Sequence, residues 1–403
     1  MRSSWRGKSL VEVPTILIVA LSGRALAAAA KRAGHRVVAA DLFGDTDLKS
    51  AADDCVTVDG DLAGGFDPET LLSAADLLAP EASPPRFGLV YGAGLEAQSD
   101  LLERLCRGRR LYGNPPQTVA RLKDPGEFFG ALGRLGLPHP ELRFAPPESG
   151  KDWLVKGVGG SGGAHVQPFA GFRASPASYY QRIAPGRPIG VSFLADGRRS
   201  LPIGCNEQWH ATGGGTLLFR FGGVLQPAPI GDRLRRDVQA LLDAIVAEFG
   251  LVGLNSLDVM DNGDSYAVLE VNPRPGANLD IFDRDNGVGL FAHHIAACDG
   301  RLPDSWAPPS MATAMAIVYA DRPSRVPADM DWPEWVADRP AAGAHFAEGA
   351  PVCTVLAADE TATNVRRLTM ERVSQVLSIL QADKPQSQFK SGPQPAMADA
   401  NHA

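Results

Sequence analysis

Asp258 and Glu270 are separated by eleven residues, and between them lies the strong turn signal Asp261-Asn262-Gly263-Asp264. Ser256–Met260 and Tyr266–Val271 on either side read as strands, so the two carboxylates are expected to face each other across one hairpin. Like charges set opposite each other destabilise a ladder, and a fold keeps them most readily with a cation between them. Period-two alternation places Glu270 and Asn272 on one face, and Arg274 continues along it. Two carboxylates and an amide oxygen are hard donors suited to Mg²⁺, or to Mn²⁺ in its place, with coordination sites left for water and phosphate. Arg274 offers a planar fork to a phosphate or an oxyanion. Leu269 and Val271 alternate with this polar set and are expected to pack on a core.

A second constellation is Leu154-Val155-Lys156-Gly157-Val158-Gly159-Gly160-Ser161-Gly162-Gly163, a strand that delivers a lysine into five glycines within seven residues. Glycine lets backbone N–H groups approach phosphate oxygens, and the lysine adds a compact charge. The spacing of Gly157, Gly159 and Gly162 also fits a dinucleotide fingerprint, but that fingerprint opens a helix. Here His165–Phe169 reads as a strand, so the loop is expected to be a flap. Other features are weaker. Gly7-Lys8-Ser9 resembles the end of a phosphate loop but has no strand before it. Gly213-Gly214-Gly215 beside His210 fits a substrate loop or a plain turn. His293 and His294 are neighbours on an expected helix and point apart, which disfavours a shared metal.

The elements that must position these residues follow from periodicity. Residues 14–115 alternate strands (Thr15–Ala20, Arg36–Ala40, Phe87–Tyr91) with helices, the pattern of an open parallel α/β sheet. Gly92 and Gly94 follow the third strand, at the end where such sheets bind ligands. Arg2, Arg6 and Lys8 before Val13–Leu21 imitate a leader peptide, but a strand–turn–helix reading also explains the second apolar run and Asp41. Residues 116–300 are expected to form a second domain: a helix Gln117–Leu135 carrying Lys123, several strands including Ile189–Leu194 and Leu217–Phe221, and the amphipathic helix Arg233–Phe249 stopped by Gly250. Residues 301–382 read as a small α+β unit ending in a helix near Thr369–Leu380, and 383–403 as a disordered tail.

Bulk properties narrow the function classes. The chain has 403 residues, 44% hydrophobic, with a net charge of −7 and no long basic run, which argues against a general nucleic-acid binder. The five cysteines are scattered without a C-x-x-C pair, so reduced cysteines and a cytoplasmic location are expected. No apolar stretch reaches the ~20 residues needed to span a bilayer. A homo-oligomer is compatible with all of this.

Taken together these residues resemble the ATP-grasp superfamily, over about residues 14–300. The resemblance lies in the order of a small α/β domain, a lysine on a linking helix (Lys123), a lysine before a glycine flap (Lys156), and Asp258…Glu270-x-Asn272-x-Arg274. It implies that Lys123 and Lys156 contact ATP phosphates and that Gly159, Gly160, Ser161, Gly162 and Gly163 close over them. Asp258, Glu270 and Asn272 would hold the metal. It also implies that Tyr180-Gln181-Arg182-Ile183-Ala184 holds adenine through main-chain groups. Gln181 stands where many members carry glutamate, and Pro188 where an acid often holds the ribose. Ile189–Gly197, Asn206-Glu207-Gln208 and Leu269–Asn278 further resemble carboligase-like members such as the tyramine–glutamate ligase of methanofuran synthesis. The implied activity is ADP-forming C–N ligation of a small-molecule carboxylate to an amine through an acyl phosphate, with Lys156 and Arg274 catalytic. A carboxylase-like enzyme that phosphorylates bicarbonate and a non-catalytic nucleotide-binding regulator are the alternatives.

Overall fold

The computed structural model describes residues 14–148, 150–170, 177–211, 217–276, 278–283, 289–307 and 309–382. The segment with Gly7-Lys8-Ser9, the Gly213–Gly215 run and the expected tail 383–403 lie outside the described residues. The first apolar run becomes the strand Thr15–Val19, which is buried and parallel to Val37–Asp41 on one side and Phe87–Tyr91 on the other. Asp54–Thr57 and Arg110–Leu111 complete a five-stranded parallel sheet with the first strand at its centre. The chain therefore leaves the sheet in opposite directions at that strand. The loops after Val19 and Tyr91 flank a ligand crevice at the sheet's carboxyl end.

Two helices, Pro116–Lys123 and Pro125–Arg134, replace the single helix expected over 117–135. The break is physical. Asp124 precedes a proline, which disfavours helical backbone there; it takes φ −78°, ψ 113° and accepts from the Glu127 N–H as the cap of the second helix. Beyond it, Val166–Pro168, Trp153–Gly157, Ser178–Arg182 and Leu142–Arg143 form a small antiparallel sheet in that order.

An eight-stranded antiparallel sheet forms the main body, in the order Tyr266–Asn272, Val252–Asp261, Arg187–Asp196, Ser200–His210, Phe221–Gln226, Ala312–Tyr319, Pro351–Asp359, Val336–Ala337. The helix Asp232–Phe249 covers one face through Leu234, Leu241, Leu242, Ile245 and Val246. It ends where Gly250 adopts φ +67°, a left-handed cap with its N–H on the Val246 carbonyl. The expected strand Leu217–Phe221 lies earlier than the observed one, which begins at Phe221. Residues 312–359 pair directly with Phe221–Gln226 and with one another, so the sheet is continuous across residue 300. The last helix spans Ala362–Ala382, a turn or more longer than expected. All five cysteines are free, and no helix among the described residues is long and apolar enough to cross a membrane.

Candidate active site

The hairpin forms in the expected register: Asp258 is the direct partner of Glu270, and Ser256 of Asn272. A bulge next to this pair shifts the ladder, so Val259 pairs with Val268 and Leu269 is left over. Val268 and Val271 are buried in the core, while Leu269 joins Glu270 in lining a cavity. Strict alternation had put Leu269 on the core face, and the extra residue turns it over.

Around the carboxylate pair the polar contacts close into one network. Asn272 Nδ2 donates to Asp258 Oδ2 at 3.1 Å, and Gln208 Nε2 donates to Asp258 Oδ1 at 2.7 Å. Lys123 reaches over from the linking helix. Its Nζ lies 3.6 Å from Glu270 Oε2 and donates to Asn272 Oδ1 at 3.4 Å. Asp258 is pushed above the usual carboxylate range by burial first and by the Glu270 charge second. Burial alone would raise Glu270 too, but Lys123, Lys156, His165 and Arg274 outweigh it and hold that carboxyl low. The two acids thus carry very different proton affinities.

Arg274 is steered from the first domain. Its Nε donates to Glu96 Oε1 at 2.7 Å, and the side chains are 10% and 2% exposed. Glu96 also accepts from the Gly94 N–H at 2.6 Å, within the loop after the strand Phe87–Tyr91. Asn114, fully buried, ties Pro273 to the rest: its Nδ2 donates to the Pro273 carbonyl at 2.9 Å and to Asn255 Oδ1 at 2.8 Å. The backbone immediately before Arg274 is therefore fixed by both domains.

Lys156 is buried on the strand Trp153–Gly157, with Nζ 6.0 Å from the Tyr179 ring centre. The glycine loop after it is a flap between strands. The Phe221 N–H donates to the Gly162 carbonyl at 2.9 Å, seating the flap on the large sheet. Gly163 takes φ +77°, and a Cβ there would sit 1.8 Å from the Phe219 carbonyl oxygen. Ser161, Gly162 and Gly163 line the main cavity, whereas Gly159 and Gly160 face a smaller recess beside Lys123 and Glu270.

The cavity holds ≈ 790 Å³, within the roughly 300–1,000 Å³ of small-molecule sites. It runs from the flap over Asp258, Glu270, Asn272 and Arg274 to the first domain. Gln181, Arg182 and Ile183, on and just after the strand paired with that of Lys156, also line it. The N–H groups of Arg182 and Ile183 already donate to the Glu141 and Asp152 carbonyls, so these donors are not free for a ligand. Gln181 is buried, and its Nε2 has no hydrogen-bond partner among the described residues. His293 and His294 are in another place. His294 lies in the core, with Nδ1 accepting from the Leu254 N–H at 2.8 Å.

Glu96 and Gln208 are functional candidates that motif reading did not single out, although both fall in segments it marked as loops or as subgroup resemblance. An acid behind a strand-end glycine pair was the signal for Glu96.

A parallel α/β domain, an antiparallel sheet bearing a paired-carboxylate hairpin, and a glycine flap define a class that comparison identifies. Residues 124–278 match the ATP-grasp domain family. The match places an ATP-grasp domain on that segment, which is less than half of the chain. Among curated proteins it is similar to the carbamoyl phosphate synthase large chain of Thermus thermophilus, 24% identical over 273 residues that cover 61% of this chain and 26% of that protein. The chain thus spans about a quarter of the length of the curated relatives it matches. Among solved structures it resembles the biotin carboxylase domain of a single-chain bacterial carboxylase (TM-score 0.65, 18% identity, 89% and 88% of the two chains). It also resembles an L-amino acid ligase from Bacillus licheniformis (TM-score 0.66, 13% identity, 91% and 98%).

Proposed function

We propose that the chain is an ATP- and Mg²⁺-dependent ligase that phosphorylates a carboxylate and joins the activated acyl group to an amine, releasing ADP and phosphate. The observation that carries this reading is the register pairing Asp258 with Glu270, beneath Lys123, inside the cavity that also holds Lys156 and Arg274. The residues fit both groups. Asp258, Glu270 and Asn272 present hard oxygens from one hairpin face, and the raised Asp258 marks a surplus of negative charge that a divalent cation would discharge. Gln181 offers an amide donor unsatisfied among the described residues, in the wall assigned to the base.

When bound, Mg²⁺ supplies charge neutralisation and in-line alignment of the triphosphate. Lys156 and Lys123 place positive charge against phosphate oxygens. Ser161–Gly163 present backbone N–H groups and close the flap, which excludes water from an acyl phosphate that hydrolyses readily. Arg274, fixed by Glu96, directs its guanidinium at the oxyanion that forms when the amine adds. Positioning and electrostatics carry this chemistry, so no nucleophilic side chain is required. The likeness to an L-amino acid ligase supports C–N bond formation. The subgroup resemblance supports a glutamate-like acid as donor within cofactor biosynthesis.

Glu270→Gln tests the reading. Mg²⁺-dependent ADP release with substrates present should fall about a hundredfold or more, with the circular dichroism spectrum unchanged. Release at the wild-type rate would refute the metal assignment.

A further inference from the structure

The cavity has a second polar end, away from the carboxylate hairpin. Asp45 stands at the head of the helix Thr46–Ala51, where an aspartate usually accepts from the helix's own N–H groups. This one does not. It caps nothing, is 5% exposed, lines the cavity, and its Oδ2 has no hydrogen-bond partner among the described residues.

Its neighbours are acidic and already engaged. Asp41 accepts from the Gly23 and Gly44 N–H groups. Asp47 accepts from the Asp338 and Arg339 N–H groups. Asp338 accepts from Ser22 Oγ and Arg24 Nε, each at 3.0 Å. Arg24, the cation among the main influences on Asp45, is drawn instead to Asp338 and, at 2.6 Å, to Asp280. Asp45 is left as a buried acid beside three others, and burial with those charges lifts it to about 8. An unpaired buried carboxyl is costly unless something enters to pair with it. Phe43 and Leu62, 40% and 44% exposed, line the same cavity and offer apolar contact.

We propose that this recess, centred on Asp45, is the binding site for the ammonium group of the amine substrate, and that it selects a primary amine with an apolar body and no adjacent carboxylate. The assignment rests on the ligase reading for its role in the reaction, but the binding event stands apart from turnover. An ammonium brings three donors and one positive charge, which is what Asp45 lacks. An α-amino acid would bring its own carboxylate among four acids, with Arg24 already committed.

The test is calorimetric titration of the full-length protein with n-butylamine, phenethylamine, 1-butanol and L-phenylalanine, in wild type and Asp45→Asn, with ATP binding measured alongside. Wild type should bind the amines at least tenfold more tightly than the alcohol or the amino acid. D45N should lose at least tenfold in amine affinity while ATP affinity stays within twofold. D45N should also melt higher than wild type without amine, because it relieves an unpaired acid; a purely structural aspartate would give a lower melting temperature. Failure of wild type to bind any of the amines, equal amine binding by D45N, or tighter binding of phenylalanine than of phenethylamine would overturn the proposal. Amine binding that depends on Asp45 without ADP release for any acid would keep the recess and refute the ligase reading. ADP release with an amine whose affinity ignores Asp45 would do the reverse.

Discussion

Glu96→Gln isolates what holds Arg274 in place. Glu96 Oε1 accepts from Arg274 Nε at 2.7 Å and Oε2 accepts from the Gly94 N–H at 2.6 Å. An amide keeps one acceptor and turns an NH₂ against the other donor, and it leaves the guanidinium without a counter-charge in a site where both side chains are at most 10% exposed. Breaking one partner of a buried ion pair costs about 3–5 kcal/mol. At about 1.4 kcal/mol per decade, expression of most of that cost in the transition state would lower kcat/KM for ADP release by about 10²–10³-fold. The remainder should appear as a lower melting temperature. Burial would raise the Glu96 carboxyl, but Arg274 and Lys123 outweigh it and hold it below its ordinary 4.5. The stabilisation is therefore present above pH 4.5 and lost as pH falls through the depressed folded value, so E96Q should flatten the acid limb of stability against pH. The control is the double-mutant cycle with Arg274→Ala, in which Glu96 is itself the unpaired charge. There E96Q should be neutral or stabilising. An equal penalty in both backgrounds, or wild-type turnover in the single variant, would refute the positioning argument.

Gly163→Ala should leave the melting temperature within a few degrees and weaken ATP binding at least tenfold by titration calorimetry. The positive φ and the 1.8 Å approach to the Phe219 carbonyl prevent the flap from seating with a Cβ present. His294 is held neutral, lowered to about 4 by burial, with Nδ1 fixed as acceptor by the Leu254 N–H. Its contribution is complete above pH 6.5 and lost as pH falls toward 4, so His294→Gln should reduce the fall in melting temperature across that interval, with ADP release at pH 8 changing less than stability.

The parts legible in the sequence are those in which residues that act together are also close along the chain. The two strands and their turn at Asn262-Gly263 were legible from spacing, but the bulge completes the pairing of Asp258 with Glu270, since the register set by Asp261–Tyr266 and Val259–Val268 would otherwise put Asp258 opposite Leu269. The flap was legible from its glycines, and the long helix from its apolar stripe and Gly250 cap. The bulge at Leu269 was not, because nothing in Val268-Leu269-Glu270 marks where the ladder slips. Ser200–His210 was also missed as a strand. Its Pro202, Gly204 and Asn206 are poor strand formers, and it holds its place because both neighbours pair with it inside the sheet. The break at Asp124-Pro125 was readable from the proline rule and was outvoted by apolar periodicity on both sides of it.

The continuity of the large sheet past residue 300 changes what the carboxyl-terminal third can do. Pairing of Ala312–Tyr319 with Phe221–Gln226 carries the chain back to the cavity, and the turn after Val336–Ala337 brings Asp338 beside Arg24. Asp338 takes φ +54°, the one non-glycine residue with a positive φ among the described residues. An aspartate tolerates that backbone better than most side chains, at some cost in strain. The recess at Asp45 is thus assembled from residues 22–24, 41–47, 280 and 338, segments with no shared periodicity and no motif. The end of the cavity proposed for the nucleotide is built on one hairpin, one flap and one linking helix, and its residue types show in spacing. The Asp45 end is built by tertiary packing alone, so under the proposed roles substrate choice could drift there by single substitutions while the groups proposed for phosphate and metal stay fixed.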